Sequence, residues 1–378
     1  MSVDEDMETM KFCKVLLLLS ALLRLLCVPA QAVTVEDLFT VELPVADQTT
    51  SLRLESFSDA FKQVIVKVSG SDDALQSPAF ERPIANSARY VKQFRYLTRD
   101  AGEDEAGAVD AGRLVLRIDF DQQLVEGLLR EQGFPVWGRE RPSTLLVISY
   151  DVNENIRLVS DDATPDLVEA LDESASALAV PVLFPLMDLE DTALVSIGDI
   201  AARQYGGVRA MARRYSPNAV LVGRLFGRSG SGWQGDWEVS FDDQTFRWTY
   251  QASSRQDVLD QAIRNLARTL ASEYALEGQR SVDGGALLLS VSDLGSIDRL
   301  IEVRRYLESL NAVDSVRVAL ISQNVVTYEL TLRNDPEDLQ RLIEFGDKLE
   351  QEDFPQLDTQ GGDRVILNYS YVNRGATN

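Results

Sequence analysis

The stretch Ser143 to Val152, STLLVISYDV, decides how the middle of the chain folds. Its apolar residues are nearly continuous at the start, which is typical of a strand that is covered on both faces. A second stretch, Ala219 to Phe226 (AVLVGRLF), predicts another core strand. Between the two strands, Thr164-Pro165 begins a helix that continues through Leu178, since proline fits the first position of a helix. Strand, helix and strand in this order predict a mixed α/β domain.

The same domain continues with a hairpin and a long helix. Trp233 to Phe241 and Thr245 to Tyr250 alternate as two strands, and Asp242-Asp243 forms the turn between them. One apolar stripe then runs along a helix through Val258, Leu259, Ala262, Ile263, Leu266, Leu270 and Tyr274. Gly278 to Gly285 (GQRSVDGG) is a linker, so we place this domain at residues 143–278.

The region before it, residues 33–134, is predicted as an α+β domain. Leu38 to Val45 alternates as a strand, a helix follows that ends before Gly70, and a second helical stretch runs from Ile84 to about Gln93. Arg113 to Phe120 predicts a strand, and Asp119 or Asp121 can cap the helix after it. Phe134-Pro135-Val136-Trp137-Gly138 and Arg141-Pro142 form the joint to the middle domain.

The last region, residues 285–373, has the element order βαββαβ. This order is typical of a ferredoxin-like (ACT-like) sandwich. The whole chain is therefore predicted to be an α+β / mixed α/β protein of three small domains.

Residues 1–32 are interpreted as a secretory signal peptide. From Met10, Lys11 and Lys14 precede the apolar run Val15 to Val28, and Ala30-Gln31-Ala32 is a small-x-small cleavage site. A membrane-spanning helix needs roughly 20 apolar residues, so we expect cleavage after Ala32 and no retained transmembrane segment. Acidic residues before Met10 favour initiation at Met10 over Met1. The expected location is the periplasm of a Gram-negative bacterium.

Composition excludes several classes of function. The chain has 378 residues with 37 Lys plus Arg against 60 Asp plus Glu, so its net charge of −23 opposes nucleic-acid binding. It contains no histidine, which excludes Ser-His and Cys-His catalysis. Both cysteines, Cys13 and Cys27, precede the cleavage site, so the mature chain offers no thiol. Neither SxxK nor GxSxG occurs, and no acidic group has the EF-hand pattern; we predict no catalytic residue, metal site or cofactor.

Two kinds of residue remain as candidates for binding. An arginine group, Arg203, Arg209, Arg213, Arg214, Arg224 and Arg228, suits an anionic ligand, although intramolecular ion pairs are the simpler explanation. Trp137 and Trp233 lie among Gly and Pro and suit a sugar or a peptide, although packing at domain joints is the simpler explanation. Gly230 to Gly235 matches GxGxxG, but Trp233 to Phe241 is predicted as a strand, so this motif is interpreted as a hairpin loop.

Six segments together resemble an exported gammaproteobacterial family, the domain of unknown function 2066. They are LFTVELPVADQ from Leu38, VIVKVSG from Val64, ARYVKQFRY from Ala88, FPVWGRERP from Phe134, FPLMDLED from Phe184 and AVLVGRL from Ala219. The resemblance covers roughly Val33 to Gly278. It implies an envelope protein and brings no established activity.

These observations predict a non-enzymatic binding or scaffold protein for other proteins or components of the cell envelope. Two alternatives stay open. One is a carboxylate-dependent hydrolase of an envelope glycan, which needs neither His nor Cys. The other is a small-ligand sensor that uses the ACT-like region.

Overall fold

The computed structural model describes residues 33–99, 113–152, 155–228, 232–241, 244–275, 287–322, 324–333, 335–346, 348–352 and 366–372. The predicted signal peptide with both possible start sites, the predicted turn Asp242-Asp243 and the predicted Gly278–Gly285 linker lie outside these residues. Within these ranges, no helix has the length and apolarity that crossing a bilayer requires. The protein is a mixed α+β chain with several sheets.

The first region is a three-stranded antiparallel sheet packed on helices. Its elements are β1 (Val33–Thr34), β2 (Thr40–Pro44), α1 (Thr50–Ser69), α2 (Asp73–Gln76), α3 (Glu81–Ala85), β3 (Val91–Arg99), β4 (Arg113–Phe120) and α4 (Gln122–Glu131). The sheet order is β2-β4-β3. Strand β1 pairs instead with β5 (Glu140–Arg141), which lies beyond the joint.

Helix α1 forms where the spacing of apolar residues predicts it. Its buried side chains include Phe57, Phe61, Val64, Ile65 and Val68. The helix ends at Gly70, whose φ of 72° is left-handed and whose N–H donates to the Val66 carbonyl at 2.8 Å. Helix α4 is capped by Asp121, which accepts from the Leu124 N–H at 3.1 Å.

The predicted helix from Ile84 to Gln93 is wrong. Helix α3 ends at Ala85, and a single 3-10 turn (Ser87–Arg89) leads into strand β3. Pro83 restricts the chain locally, but pairing of β3 with β4 along the strand decides the outcome. Such a tertiary pairing overrides the local helical spacing.

The middle region is built on one mixed sheet. Its elements are β6 (Thr144–Val152), β7 (Asn155–Leu158), α5 (Pro165–Ala177), β8 (Val182–Leu183), α6 (Leu189–Leu194), α7 (Ile197–Ala201), α8 (Gly206–Tyr215), β9 (Ala219–Arg228), β10 (Gly232–Phe241), β11 (Gln244–Ala252) and α9 (Arg255–Tyr274). The order is β11-β10-β9-β6-β7, with β8 on β6. Strands β6 and β9 are parallel, and β9, β10 and β11 form an antiparallel meander. Gly232 and Gly235 of the GxGxxG motif therefore open no helix, because both lie on β10.

The two faces of this sheet are covered differently. One face packs on α5 and α9, and its core includes Leu171, Leu221, Val239 and Ile263. On the other face, α7 and α8 pack on β6, β7 and β9 through a smaller cluster that includes Val222. On that second face, β10 and β11 present polar residues to solvent.

The last region has the predicted βαββαβ order with one more strand. Its elements are β12 (Leu287–Ser292), α10 (Ile297–Ser309), β13 (Val313–Ser322), β14 (Val325–Leu332), α11 (Pro336–Phe345), β15 (Leu349–Gln351) and β16 (Ile366–Tyr371). The sheet order is β13-β14-β12-β16-β15, with β16 parallel to β12. Strand β15 buries only Leu349, so its sequence carries little alternation to predict it.

Alkaline pH should destabilise this last region. Burial raises the pKa values of Tyr328 and Tyr369 to about 12. A tyrosine whose pKa is higher in the folded than in the unfolded state stabilises the folded state fully at pH values below the unfolded pKa, which is near 10. This stabilisation is lost as the pH rises through the folded pKa of about 12. We therefore expect stability to fall above pH 10 and tyrosine absorbance to show late ionisation of both residues. Tyr328→Phe with Tyr369→Phe should flatten this fall; an unchanged alkaline profile would contradict the assignment.

Trp137 is 1 % exposed and lies at the centre of the joint, so the prediction of an exposed sugar or peptide platform does not fit. Its backbone N–H donates to the Val68 carbonyl of α1 at 2.6 Å. Beside it, the Val136 carbonyl accepts from Asn311 Nδ2 at 2.8 Å. The joint therefore contacts both the first and the last region.

The guanidinium of Arg141 lies 4.0 Å from the Trp137 ring centroid and is fully buried. It donates to five carbonyls, those of Lys67, Trp137, Gly138, Leu178 and Ala179. Burial lowers the pKa of Arg141 to about 9, which still leaves the side chain charged at neutral pH. Among the described residues, the hydrogen bonds of this buried cation go to backbone carbonyl oxygens.

Candidate functional site

A cavity of about 300 Å³ opens on the solvent face of β9, β10 and β11. Its polar lining residues are Arg203, Tyr205, Arg224, Asp236, Glu238, Arg247 and Thr249. Strand alternation places the five of them that lie on strands together, because residues two apart on a strand share a face, while Arg203 and Tyr205 come from the connection between α7 and α8. Asp236 lies directly opposite Arg224 on one side and Thr249 on the other.

Some of these side chains already have partners. The Arg247 Nε lies 2.5 Å from the Glu238 Oε2 across the β10–β11 pair. The Asp236 Oδ1 accepts from Thr249 Oγ1 and Gln234 Nε2, both at 3.0 Å. The cavity floor is therefore an ordered polar network.

Two arginines at the cavity differ from Arg247. Among the described residues, no carboxylate lies within 4.0 Å, the distance limit of an ion pair, of the guanidinium of Arg203 or of Arg224. Arg224 instead holds its guanidinium 5.8 Å from the Phe226 ring centroid. Both cations are thus placed where an external anion can reach them.

Tyr205 lies between α7 and α8 and lines the same cavity. Its carbonyl accepts from the Arg209 N–H at 2.9 Å as α8 begins. This start requires glycine at Gly207, because a Cβ there would lie 1.9 Å from the Leu194 carbonyl oxygen. Burial and the Glu238 carboxylate raise the pKa of Tyr205, against the opposing effect of three arginines. The phenol therefore stays protonated at neutral pH and can donate a hydrogen bond.

Arg203 occupies a left-handed backbone conformation with φ of 56°. The turn is closed by the Gln204 N–H, which donates to the Asp199 carbonyl at 2.8 Å, and by the Arg203 N–H to Ile200 at 3.2 Å. Glycine usually fills such a position after a helix, since other residues are strained there. A strained arginine at the rim of a cavity is typical of a functional position.

The charges that line the cavity suit an anionic ligand. Three guanidiniums against two carboxylates leave one net positive charge in a strongly acidic protein. Among the described residues, every carboxyl group with a shifted pKa is shifted downward: Asp47, Asp119, Asp188 and Glu302. A general acid needs the opposite shift. Among the described residues, no group of three or more Asp and Glu side chains is arranged so that it could hold a metal ion.

The structure separates the arginines that the sequence groups together. Arg224 lines the cavity, and so does Arg203. Arg209 and Arg213 are exposed on α8 and do not line it. The side chain of Arg228 lies outside the described residues.

Arg214 is tied into an intramolecular network, as the simpler interpretation of the arginine group predicts. Its guanidinium contacts Asp188 at 2.5 Å and Asp191 at 2.9 Å. Asp191 is 0 % exposed and also accepts from the Tyr215 hydroxyl and the Met187 N–H. The hydrogen bond from Arg214 lowers the pKa of Asp188 well below its usual range. This network attaches α8 to α6, and the guanidinium of Arg214 is used within it.

Sequence reasoning missed Tyr205, Asp236, Glu238, Arg247 and Thr249. Their signal is the alternation of the predicted hairpin, whose second face is polar at Asp236, Glu238, Arg247 and Thr249. Trp233, the other candidate aromatic, stacks on Tyr150 with ring centroids 5.8 Å apart and lies outside the cavity lining.

Residues 32–138 match the family described as Domain of unknown function (DUF8605). Its number differs from that of the family that the sequence motifs resemble, and that resemblance stays a prediction. No curated protein matches the chain.

Several solved structures are similar over part of the chain. The competence damage-inducible protein A (ComA) of Klebsiella pneumoniae is 16 % identical, covers 39 % of this chain and 91 % of its own, and has a TM-score of 0.21. The LpoB C-terminal domain of Salmonella enterica is 17 % identical, covers 35 % and 95 %, and has a TM-score of 0.19. A competence-damaged protein (CinA) superfamily protein of Escherichia coli is 15 % identical, covers 39 % and 84 %, and has a TM-score of 0.20.

Proposed function

We propose that the chain is a non-enzymatic binding protein of the Gram-negative cell envelope and that it binds its ligand in the cavity over β9, β10 and β11. The observation that carries this proposal is the pair Arg203 and Arg224, two cations without a carboxylate partner among the described residues at the same cavity. The signal sequence predicted at residues 1–32 supports the location.

The two alternatives have less support from the described residues. A glycan hydrolase needs one protonated carboxyl group beside a second carboxylate. The cavity offers Asp236 and Glu238, but Asp236 accepts two hydrogen bonds and Glu238 is paired with Arg247. For the sensor, the cavity beside α11 measures only about 10 Å³, which is space for about one water molecule.

A site-specific crosslink tests the proposal. A photo-reactive amino acid replaces Thr249 inside the cavity in one variant and the exposed Glu169 on α5, behind the sheet, in a matched control. Each variant is illuminated in cell-envelope preparations, and the adducts are identified by mass spectrometry. We expect one reproducible adduct from position 249 and none of that mass from 169. Equal labelling from both positions, or no adduct at 249, would overturn the proposal.

A further inference from the structure

We infer that the ligand of this cavity carries a carboxylate or phosphate group that Arg203, Arg224 and the hydroxyl of Tyr205 bind together. This inference rests on the proposed function and names the chemical class of its ligand. Guanidinium groups match the planar geometry of carboxylates and phosphates and donate two parallel hydrogen bonds. The protonated phenol adds a third donor from the other wall.

The charge distribution selects an anion. Cross-strand neighbours on a sheet lie close enough to pair, and Glu238 with Arg247 does so at 2.5 Å. Asp236 and Arg224 are also direct neighbours, yet no ion pair joins them. The guanidinium of Arg224 is therefore not paired with Asp236, the carboxylate opposite it on β10. Asp236 instead accepts hydrogen bonds from the neutral side chains of Gln234 and Thr249.

The backbone at Arg203 supports the same conclusion. A glycine at this position would adopt the φ of 56° without strain, so the fold alone favours glycine. Arginine at this position is explained by what its side chain contributes at the cavity.

The surroundings favour a small ligand over a polyanion. The cavity holds about 300 Å³, the lower end of small-molecule sites. Outside it the chain is acidic, with a net charge of −23, so a long polyanion would be repelled beyond the three arginines. A sugar acid, a sugar phosphate and free phosphate share the required chemistry.

Isothermal titration of the whole mature chain with D-glucuronate, inorganic phosphate and D-glucose tests the inference. We expect saturable binding of glucuronate, phosphate or both, weakened by added salt, and none of glucose; the two anion arms tell a carboxylate source from a phosphate source. Arg224→Ala should weaken anion binding about tenfold or more. Arg224→Lys should weaken it less, because lysine keeps the positive charge but lacks the two parallel N–H donors of the guanidinium. Arg213→Ala, an exposed arginine outside the cavity, should leave binding unchanged.

Arg203→Gly separates a binding role from a structural one. We expect anion binding to weaken while Tm stays equal to or above that of the unchanged chain, since the turn is relieved. A lower Tm with unchanged binding would contradict the role of Arg203. Binding of glucose, or no anion binding at all, would overturn the inference, whereas an adduct at position 249 would in that case still support the proposed function.

Discussion

Replacing Arg141 with Met should lower the free energy of unfolding by about 3 to 5 kcal/mol, the largest effect we expect from a single substitution. Methionine keeps part of the apolar volume against Trp137 but donates no hydrogen bond. Five buried or half-buried carbonyls then lose a charged donor at 2.6 to 3.2 Å. An unsatisfied buried acceptor is costly because water cannot replace the lost partner.

Urea unfolding followed by tryptophan fluorescence measures this effect, since Trp137 lies against the guanidinium. Arg304→Met is the matched control, because Arg304 is 52 % exposed and pairs with Glu308 one helical turn away. We expect the control to change stability by less than about 0.5 kcal/mol. Equal urea midpoints for the two variants would show that the joint does not depend on Arg141.

Asp191→Ala should be the second most destabilising change, by about 2 to 3 kcal/mol, because removing one partner of a buried ion pair strands the others. The Tyr215 hydroxyl and the Met187 N–H lose their acceptor together. Arg214 retains Asp188, so the expected loss is smaller than the roughly 3 to 5 kcal/mol typical of breaking a fully buried pair. Since this network holds α8, we also expect the cavity residue Tyr205 to become more mobile.

Thermal unfolding and hydrogen exchange of residues 188–215 measure this change. Glu190→Ala is the control, because Glu190 is 68 % exposed and its carboxylate lies 3.7 Å from Arg214. We expect nearly wild-type Tm for Glu190→Ala and a clear loss for Asp191→Ala. If the two variants unfold alike, the buried carboxylate contributes no more than the exposed one.

The sequence predicted the elements whose apolar pattern is decided locally. Helix α9 is one example, since a single stripe covers one face of the sheet and every predicted stripe residue is buried. Strands β6 and β9 are others, because continuous apolar runs predict central strands. These elements are fixed by burial along their own length, so local spacing is enough to find them.

Long-range contacts decide the features that the sequence did not predict. Arg141 belongs to a charged segment that is typical of an exposed loop, yet three segments far apart in the chain supply the carbonyls that enclose it. Strand β3 likewise depends on its partner β4. The local sequence pattern shows neither the carbonyls around Arg141 nor the pairing of β3 with β4.

The candidate site was predictable only in part. A concentration of arginine in an acidic chain pointed to an anion, and Arg224 lines the cavity. The arginine-rich sequence does not distinguish Arg224 from Arg214. Arg214 forms ion pairs with Asp188 and Asp191, and these contacts depend on the packing of α6 on α8. Arg247 comes from a separate strand and joins the site only through sheet register.

The most direct test of the anion site is an NMR titration of the arginine Nε–Hε signals with D-glucuronate and with phosphate. We expect saturable shifts for Arg203 and Arg224, smaller ones for the paired Arg247, and none beyond the bulk salt effect for Arg209 and Arg213 on α8. Uniform shifts of all arginines, or shifts confined to Arg209 and Arg213, would contradict a binding site in the cavity over β9, β10 and β11.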